Sequence, residues 1–233
     1  MDHKQLSRRL ERVGELVPEG AVLADIGSDH AYLPANLILN NKITSAIAGE
    51  VVEGPFQSAK HLVAELNLSK AIAVRKGDGL EVIKTSDNVT AISICGMGGA
   101  LIRDILNRGH LTRKLSGREV LLLQANIGEP TLRQWLVNHN YIIDNEDIIS
   151  ENEKIYEIIV ATKAEEKIEL TAAELLFGPV LLKEKNRVFK EKWQHELKQY
   201  ENILSQLEKS TKDVSSRINE MKEKIELVNE VLK

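Results

Sequence analysis

The residues that could do chemistry cluster where short apolar runs end. The first run closes in Ala24-Asp25-Ile26-Gly27-Ser28-Asp29-His30. A glycine after the first strand of a parallel α/β sheet opens a cofactor crevice, and a dinucleotide there needs G-x-G-x-x-G so that backbone amides can approach a pyrophosphate. Here Asp29 and Tyr32 stand at the second and third glycine positions. A carboxylate at Asp29 repels a pyrophosphate but attracts a cation. S-adenosyl-L-methionine carries a sulfonium and an ammonium and no phosphate, so the pattern favours it over NAD; the bland reading is an ordinary strand-end turn. Asp25, Gly27, Ser28 and Asp29 are therefore candidate cofactor contacts.

Glu50 ends the second run and offers two acceptor oxygens to ribose hydroxyls. The third run leads into Gly77-Asp78-Gly79, where Asp78 could accept from the adenine amine while the glycines permit a tight turn. The fourth ends in Cys95-Gly96-Met97-Gly98-Gly99. In such a fold this segment faces the transferred methyl, and its glycines let backbone approach the substrate; Cys95 and Gly96 join the cofactor set. The Asn-Pro-Pro-Tyr type motif that holds an exocyclic amine is absent, which favours a ring nitrogen as acceptor. His30 and Tyr32 could stack on or hydrogen-bond a flipped base, or simply pack the loop. Cys95 is read as a small buried group rather than a nucleophile. The histidines lack metal-ligand spacing, so no metal site is expected.

Positioning these residues requires alternating strands and helices. Strands are expected at 21–26, 45–49, 71–75, 89–95 and 120–124, with helices near 34–41, 54–66, 98–108 and 129–139. That alternation implies a parallel sheet covered by helices on both faces. Segments 141–149 and 155–162 read as terminal antiparallel strands joined by the polar turn SENEK. An amphipathic helix precedes the sheet over 4–17, with Leu6, Leu10, Val13 and Val17 on one face and Lys4, Arg8, Arg9 and Arg12 on the other. Beyond Gly178-Pro179 two heptad seams follow: Trp193, Leu197, Tyr200, Leu204 and Leu207, then Val214, Ile218, Met221, Ile225, Val228 and Leu232. They predict an antiparallel helical hairpin, with Ser210 and Asp213 as the N-cap pair of the second helix. A dimerising coiled coil is the alternative.

The 233 residues carry 42% hydrophobic and 28% charged side chains, enough to bury a core, and only 4% aromatics, so that core is aliphatic. One cysteine excludes an intrachain disulfide. No apolar leader or span is read, so a reducing, cytoplasmic compartment and no membrane partner are expected. A net charge of −4 excludes a generic polycation, so nucleic-acid contact must come from local clusters. The candidates are the first helix, Arg103 to Arg118, and Lys183 to Lys198.

The combination VLADIGSDHAYLP at 22–34, AGEVVEGPFQSA at 48–59, RKGDGLEVI at 75–83, GMGG at 96–99 and GPVLLKEKN before the hairpin resembles the bacterial tRNA (adenine-22-N1)-methyltransferases over nearly the whole chain. The resemblance implies a class I, Rossmann-like methyltransferase sheet with a C-terminal coiled coil. It implies methyl transfer from S-adenosyl-L-methionine to ring nitrogen N1 of a tRNA adenine, with Asp29, His30, Tyr32, Met97 and Asn126 near the reacting atoms. One departure is Gln124-Ala125-Asn126, where the family often has Gln-Pro-Asn. The expected domains are 1–165, catalytic and cofactor-binding, and 166–233, for tRNA recognition; Leu176, Phe177, Leu181 and Leu182 are candidates to close the sheet domain's core. A monomer is expected, with a hairpin-mediated homodimer as alternative and no DNA partner. Alternative functions are a class I methyltransferase on another RNA or a small molecule, and a cofactor-binding interaction protein without turnover.

Overall fold

The computed structural model describes residues 2–210 and 213–233. In chain order the elements are α1 (Arg8–Leu16), β1 (Ala21–Ile26), α2 (Tyr32–Leu39), β2 (Ile43–Glu50), α3 (Glu53–Glu65), β3 (Ile72–Lys76), β4 (Ala91–Gly98), α4 (Gly99–Leu111), β5 (Val120–Ile127), α5 (Glu129–Asn138), β6 (Tyr141–Glu151), β7 (Lys154–Lys163), α6 (Ala172–Phe177), α7 (Leu181–Glu184), α8 (Arg187–Glu208) and α9 (Ser215–Leu232). Short 3-10 turns occupy Gly79–Val82 and Thr85–Asp87. They form two compact units, Met1–Leu170 and Thr171–Lys233. The break falls after Leu170, which packs against the sheet core, rather than at 165/166.

The first unit is a three-layer sandwich around a seven-stranded sheet ordered β3-β2-β1-β4-β5-β7-β6. Strands β1 to β5 pair in parallel, and β7 inserts antiparallel between β5 and β6. The strands alternate their aliphatic side chains between two cores. Leu121 and Leu123 face the layer of Ile102, Leu106, Leu132 and Leu136 from α4 and α5. Leu122 and Leu23 face Val13, Leu33, Leu37 and Val63 from α1, α2 and α3. The period of 2 along each strand separates the cores. Asn152 and Glu153, both left-handed (φ 49° and 61°), make the tight turn between β6 and β7.

Helix α1 starts at Arg8, later than expected, because Ser7 caps it: its hydroxyl accepts from Leu10 N at 3.3 Å. The Glu151 carboxylate also receives Arg8 N at 2.7 Å and favours the positive end of the helix. Strand β4 runs past Cys95 to Gly98 because Gly96, at φ 77°, forms a bulge that shifts the register on β5 between Cys95 and Met97.

The second unit is a helical hairpin with its own apolar nucleus. Lys185 Nζ donates to Val231 O at 3.0 Å, so the start of α8 lies beside the end of α9 and the helices are antiparallel. Phe177 meets Trp193 edge-on, ring centroids 4.5 Å apart, and Phe189 at 6.1 Å. The second helix begins at Ser215, beyond the expected cap: Asp213 Oδ1 accepts from Ser215 N (3.2 Å) and Oγ (2.8 Å), and Ser210 is not its N-cap. The expected turn also spans residues 211 and 212, which lie outside the described residues. Among the described residues no helix is long and apolar enough to cross a membrane.

Candidate active site

The sheet reverses strand order between β1 and β4, and a ligand crevice is expected at the carboxyl ends of the strands there. Register brings the acidic residues together: Ile26 lies opposite Gly49, and Asp25 lies between Ala48 of β2 and Ser93 of β4. Beyond Ile26 the chain turns on Gly27 (φ 68°), then holds Asp29, His30 and Ala31 in the left-handed region at φ 41°, 70° and 58°. Consecutive non-glycine residues in that region are costly and persist only where contacts over-determine them, commonly at ligand sites. Here Gly49 O receives Gly27 N at 2.9 Å and Ser28 N at 3.2 Å, and the Glu50 carboxylate receives Asp29 N.

Asp25 is buried beneath this loop. Its oxygens accept from Ser28 Oγ and Ser93 Oγ, each at 2.5 Å. Loss of hydration raises its pKa above the usual carboxylate value, against the pull of those hydroxyls. Glu50 is buried too, and burial raises its carboxyl pKa, opposed by the Asp29 amide and reinforced by the charge of Asp25. Neither carboxylate has an ion pair among the described residues. Sites of this kind favour a cationic ligand.

On the β4 side Gln124 organises the turn. Its Oε1 accepts from Gly96 N at 2.9 Å and from Arg9 Nη1 at 2.5 Å, and its Nε2 donates to Ala125 O at 2.6 Å. Asn126 Nδ2 donates to Gly96 O at 2.8 Å. With Ala125 in place of proline, the parallel ladder to Met97 and Gly98 holds this stretch instead. Close approach requires Gly99, where a Cβ would lie 2.3 Å from Gly128 O; Gly27 is required by its φ of 68°, and a Cβ there would lie 2.2 Å from the flexible end of Met97. Met97 thus reaches across to the end of β1. Burial pushes the Cys95 thiol up to about 12, so it stays protonated and is no nucleophile near neutral pH.

Asp25, Gly27, Ser28, Asp29, Glu50, Cys95, Gly96, Met97 and Asn126 therefore gather around the ends of β1, β2, β4 and β5. Gly77 N donates to Glu50 O at 2.9 Å, which ties the third segment to the same rim. Asp78 is exposed there and paired with Arg108 (2.9 Å), so one of its oxygens is already engaged. Gly79 (φ 57°) packs on Ile105 of α4. The rings of His30 and Tyr32 stack 5.2 Å apart and open onto a cleft of about 510 Å³ lined by Gln57, Ser58, His61 and Leu62 of α3. Among the described residues no cluster of three or more His, Cys, Asp or Glu could hold a metal.

The basic clusters are less uniform than their sequence spacing. Arg12 bonds Glu15 and Asp147, Arg8 donates to Ser150 O, and Arg9 turns to Gln124, so much of the first-helix cluster is used internally. The 103–118 cluster divides: Arg103 pairs with Asp104 and Arg108 with Asp78. Arg113, Lys114 and Arg118 instead surround a cavity with Val89 and Thr90 at the amino edge of the sheet. Of the third cluster, Lys183, Lys190 and Lys198 remain exposed. Sequence reasoning missed Arg9 and Gln124 as site residues, since both signals are long-range contacts.

The profile of the tRNA (adenine(22)-N(1))-methyltransferases, TrmK, matches residues 23–230. The tRNA (adenine(22)-N(1))-methyltransferase of Bacillus subtilis strain 168 is 45% identical over 239 residues, covering 100% of this chain and 99% of that protein. The crystal structure of the B. subtilis enzyme superposes with TM-score 0.91 at 45% identity, covering 98% of this chain and 99% of that one. A putative tRNA methyltransferase from Streptococcus pneumoniae, solved in complex with S-adenosyl-L-methionine, has TM-score 0.89 and 42% identity, covering 98% and 100%. Sheet order, strand-end residues and full-length similarity agree: this chain belongs to the tRNA (adenine(22)-N(1))-methyltransferase family.

Proposed function

We propose that the chain transfers a methyl group from S-adenosyl-L-methionine to ring nitrogen N1 of adenine 22 in tRNA. The single observation that carries this reading is the pair of buried carboxylates without an ion pair, Asp25 and Glu50, beneath a glycine-opened strand end, in a chain similar throughout to enzymes of that activity. The residues fit the cofactor. Glu50 offers acceptors to ribose hydroxyls, the Asp29 loop supplies negative charge, and Gly27 and Gly96 take the positive-φ turns that shape the ends of β1 and β4.

The cofactor supplies an electrophilic methyl on sulfur, and adenine N1 has an in-plane lone pair that needs no general base. The protein's work is then alignment, worth up to about 7–11 kcal/mol in favourable cases. Gln124 and Asn126 hold the Gly96 turn against which the base is presented, and Met97 lines the gap toward β1. Asp29, on the exposed loop, offers its carboxylate to positive charge developing on the adenine. His30 and Tyr32 present a stacked pair to the unstacked base. The first unit is the catalytic and cofactor-binding body, and the hairpin holds the tRNA through Lys183, Lys190 and Lys198. The chain acts as a monomer in the cytoplasm.

Incubation of tRNA with the protein and cofactor, followed by nucleoside analysis, tests this reading. 1-Methyladenosine is expected, and is expected to vanish when adenine 22 is replaced by guanine. Methylation of the exocyclic amine, or none, contradicts it. Transfer to other RNAs but not tRNA would favour the broader methyltransferase reading.

A further inference from the structure

The crevice is lined by acid, which suits a sulfonium and an ammonium. The amino-acid end of the cofactor also carries a carboxylate, which Asp25, Asp29 and Glu50 repel. None of the cofactor contacts read from the sequence supplies a fixed positive charge for it. Arg9 brings one. Its Nη1 donates to Gln124 Oε1 at 2.5 Å, and both Nη atoms lie 3.6 Å from the position of a Cβ on Gly96. Its charge bears on both Asp25 and Cys95.

The guanidinium is half-buried and incompletely used. It bonds Gln124 and lies over the face of the Tyr156 ring, 5.5 Å from the centroid, and it has no ion pair among the described residues. A partly desolvated cation without an anion is an unusual arrangement to maintain. The neighbouring Arg8 and Arg12 tie α1 to Ser150 and Asp147, so the helix is held firmly while Arg9 alone of the three turns to the β4–β5 edge. Gln124 occupies one donor and leaves the rest of a planar fork that matches a carboxylate bidentately.

We infer that Arg9 is the counter-ion for the carboxylate of the cofactor's amino-acid moiety. The inference rests on the cofactor reading above. It adds a binding residue from α1, ahead of the residues 23–230 that match the family profile.

Calorimetry on the full chain separates the two. S-adenosylhomocysteine carries the carboxylate; its decarboxylated analogue keeps adenosine, sulfur and ammonium. If wild-type protein binds neither, the cofactor reading itself fails. If it binds the first, Arg9→Met is expected to weaken that ligand about 10–100-fold. The same variant should bind the decarboxylated analogue within about twofold of wild type, as in a double-mutant cycle. Arg9→Lys, which keeps the charge without the fork, should lose less than Arg9→Met for the first ligand and nothing for the second, and serves if the methionine variant does not fold. Undiminished binding of S-adenosylhomocysteine by a folded variant, or equal loss for both ligands, overturns the assignment and leaves Arg9 as a support for Gln124.

Discussion

Glu146 and Glu157, on β6 and β7, and Asp25 and Glu50, at the ends of β1 and β2, are all buried carboxylates, yet their surroundings differ. The first pair flanks Arg133 of α5, which bonds Glu146 Oε1 at 2.8 Å and Glu157 Oε2 at 2.5 Å with all three side chains fully buried. Among the described residues the second pair has hydroxyls and an amide for partners and no ion pair, and burial raises both carboxyl pKa values. The first arrangement sets its acids against a buried guanidinium and fastens α5 to the terminal strands. The second keeps negative charge facing a crevice. Burial of acid alone does not mark a site; burial of acid without its cation does.

Breaking the first region should have the largest effect. Arg133→Met leaves two carboxylates buried without their cation and is expected to cost about 3–5 kcal/mol of stability, read by chemical denaturation. A loss below about 1 kcal/mol would mean that the cluster is hydrated or protonated and the contrast is false.

The next effect concerns the hairpin. A chain ending at Leu170 should bind S-adenosylhomocysteine within about threefold of the full chain, while tRNA methylation falls by about tenfold or more. Full-rate methylation by the folded truncation would remove the hairpin from substrate recognition.

The pH dependence sharpens the comparison further. Because folding raises the Asp25 pKa above its ordinary 3.8, its contribution to stability is fully present below that value and is lost as pH rises through the folded pKa. Glu50 acts in the same sense from its ordinary 4.5. In the absence of cofactor, Asp25→Asn should therefore show a smaller fall of Tm than wild type as pH rises from about 4 toward neutrality. An unchanged Tm profile would show that Asp25 is not strained by burial. The smallest effect is at Cys95: Cys95→Ser should keep methyl transfer within about threefold, and the wild-type thiol should alkylate slowly at pH 8. Loss of transfer in a folded serine variant would give the thiol a direct role.

Much of this was legible in the chain because it is local. The apolar run Ala21–Ile26 followed by glycine, the carboxylate at Glu50 and the glycines of 96–99 each announce a strand end, and parallel pairing then forces them to one edge of the sheet. The alternation of Leu121, Leu122 and Leu123 between two cores also follows from strand periodicity. What escaped depends on contacts distant in sequence. Nothing local tells that β7 inserts between β5 and β6, or that Gly96 bulges so that β4 continues to Gly98. Arg103 to Arg118 reads as one basic cluster, but Arg103 lies within α4 beside Asp104, whereas Arg113 lies past the end of that helix, at the cavity with Val89 and Thr90. Arg9 reads as one of several surface cations on α1 until the fold lays it against Gln124.

The most direct test of the central claim is made at Glu50. Glutamine there keeps an oxygen to receive the Asp29 amide and removes only the charge and one acceptor. S-adenosylhomocysteine binding by Glu50→Gln, measured by calorimetry with Tm alongside, should fall about 10–100-fold while Tm is unchanged or raised. Wild-type affinity in the folded variant would contradict the account and place the cofactor elsewhere than at this acidic edge.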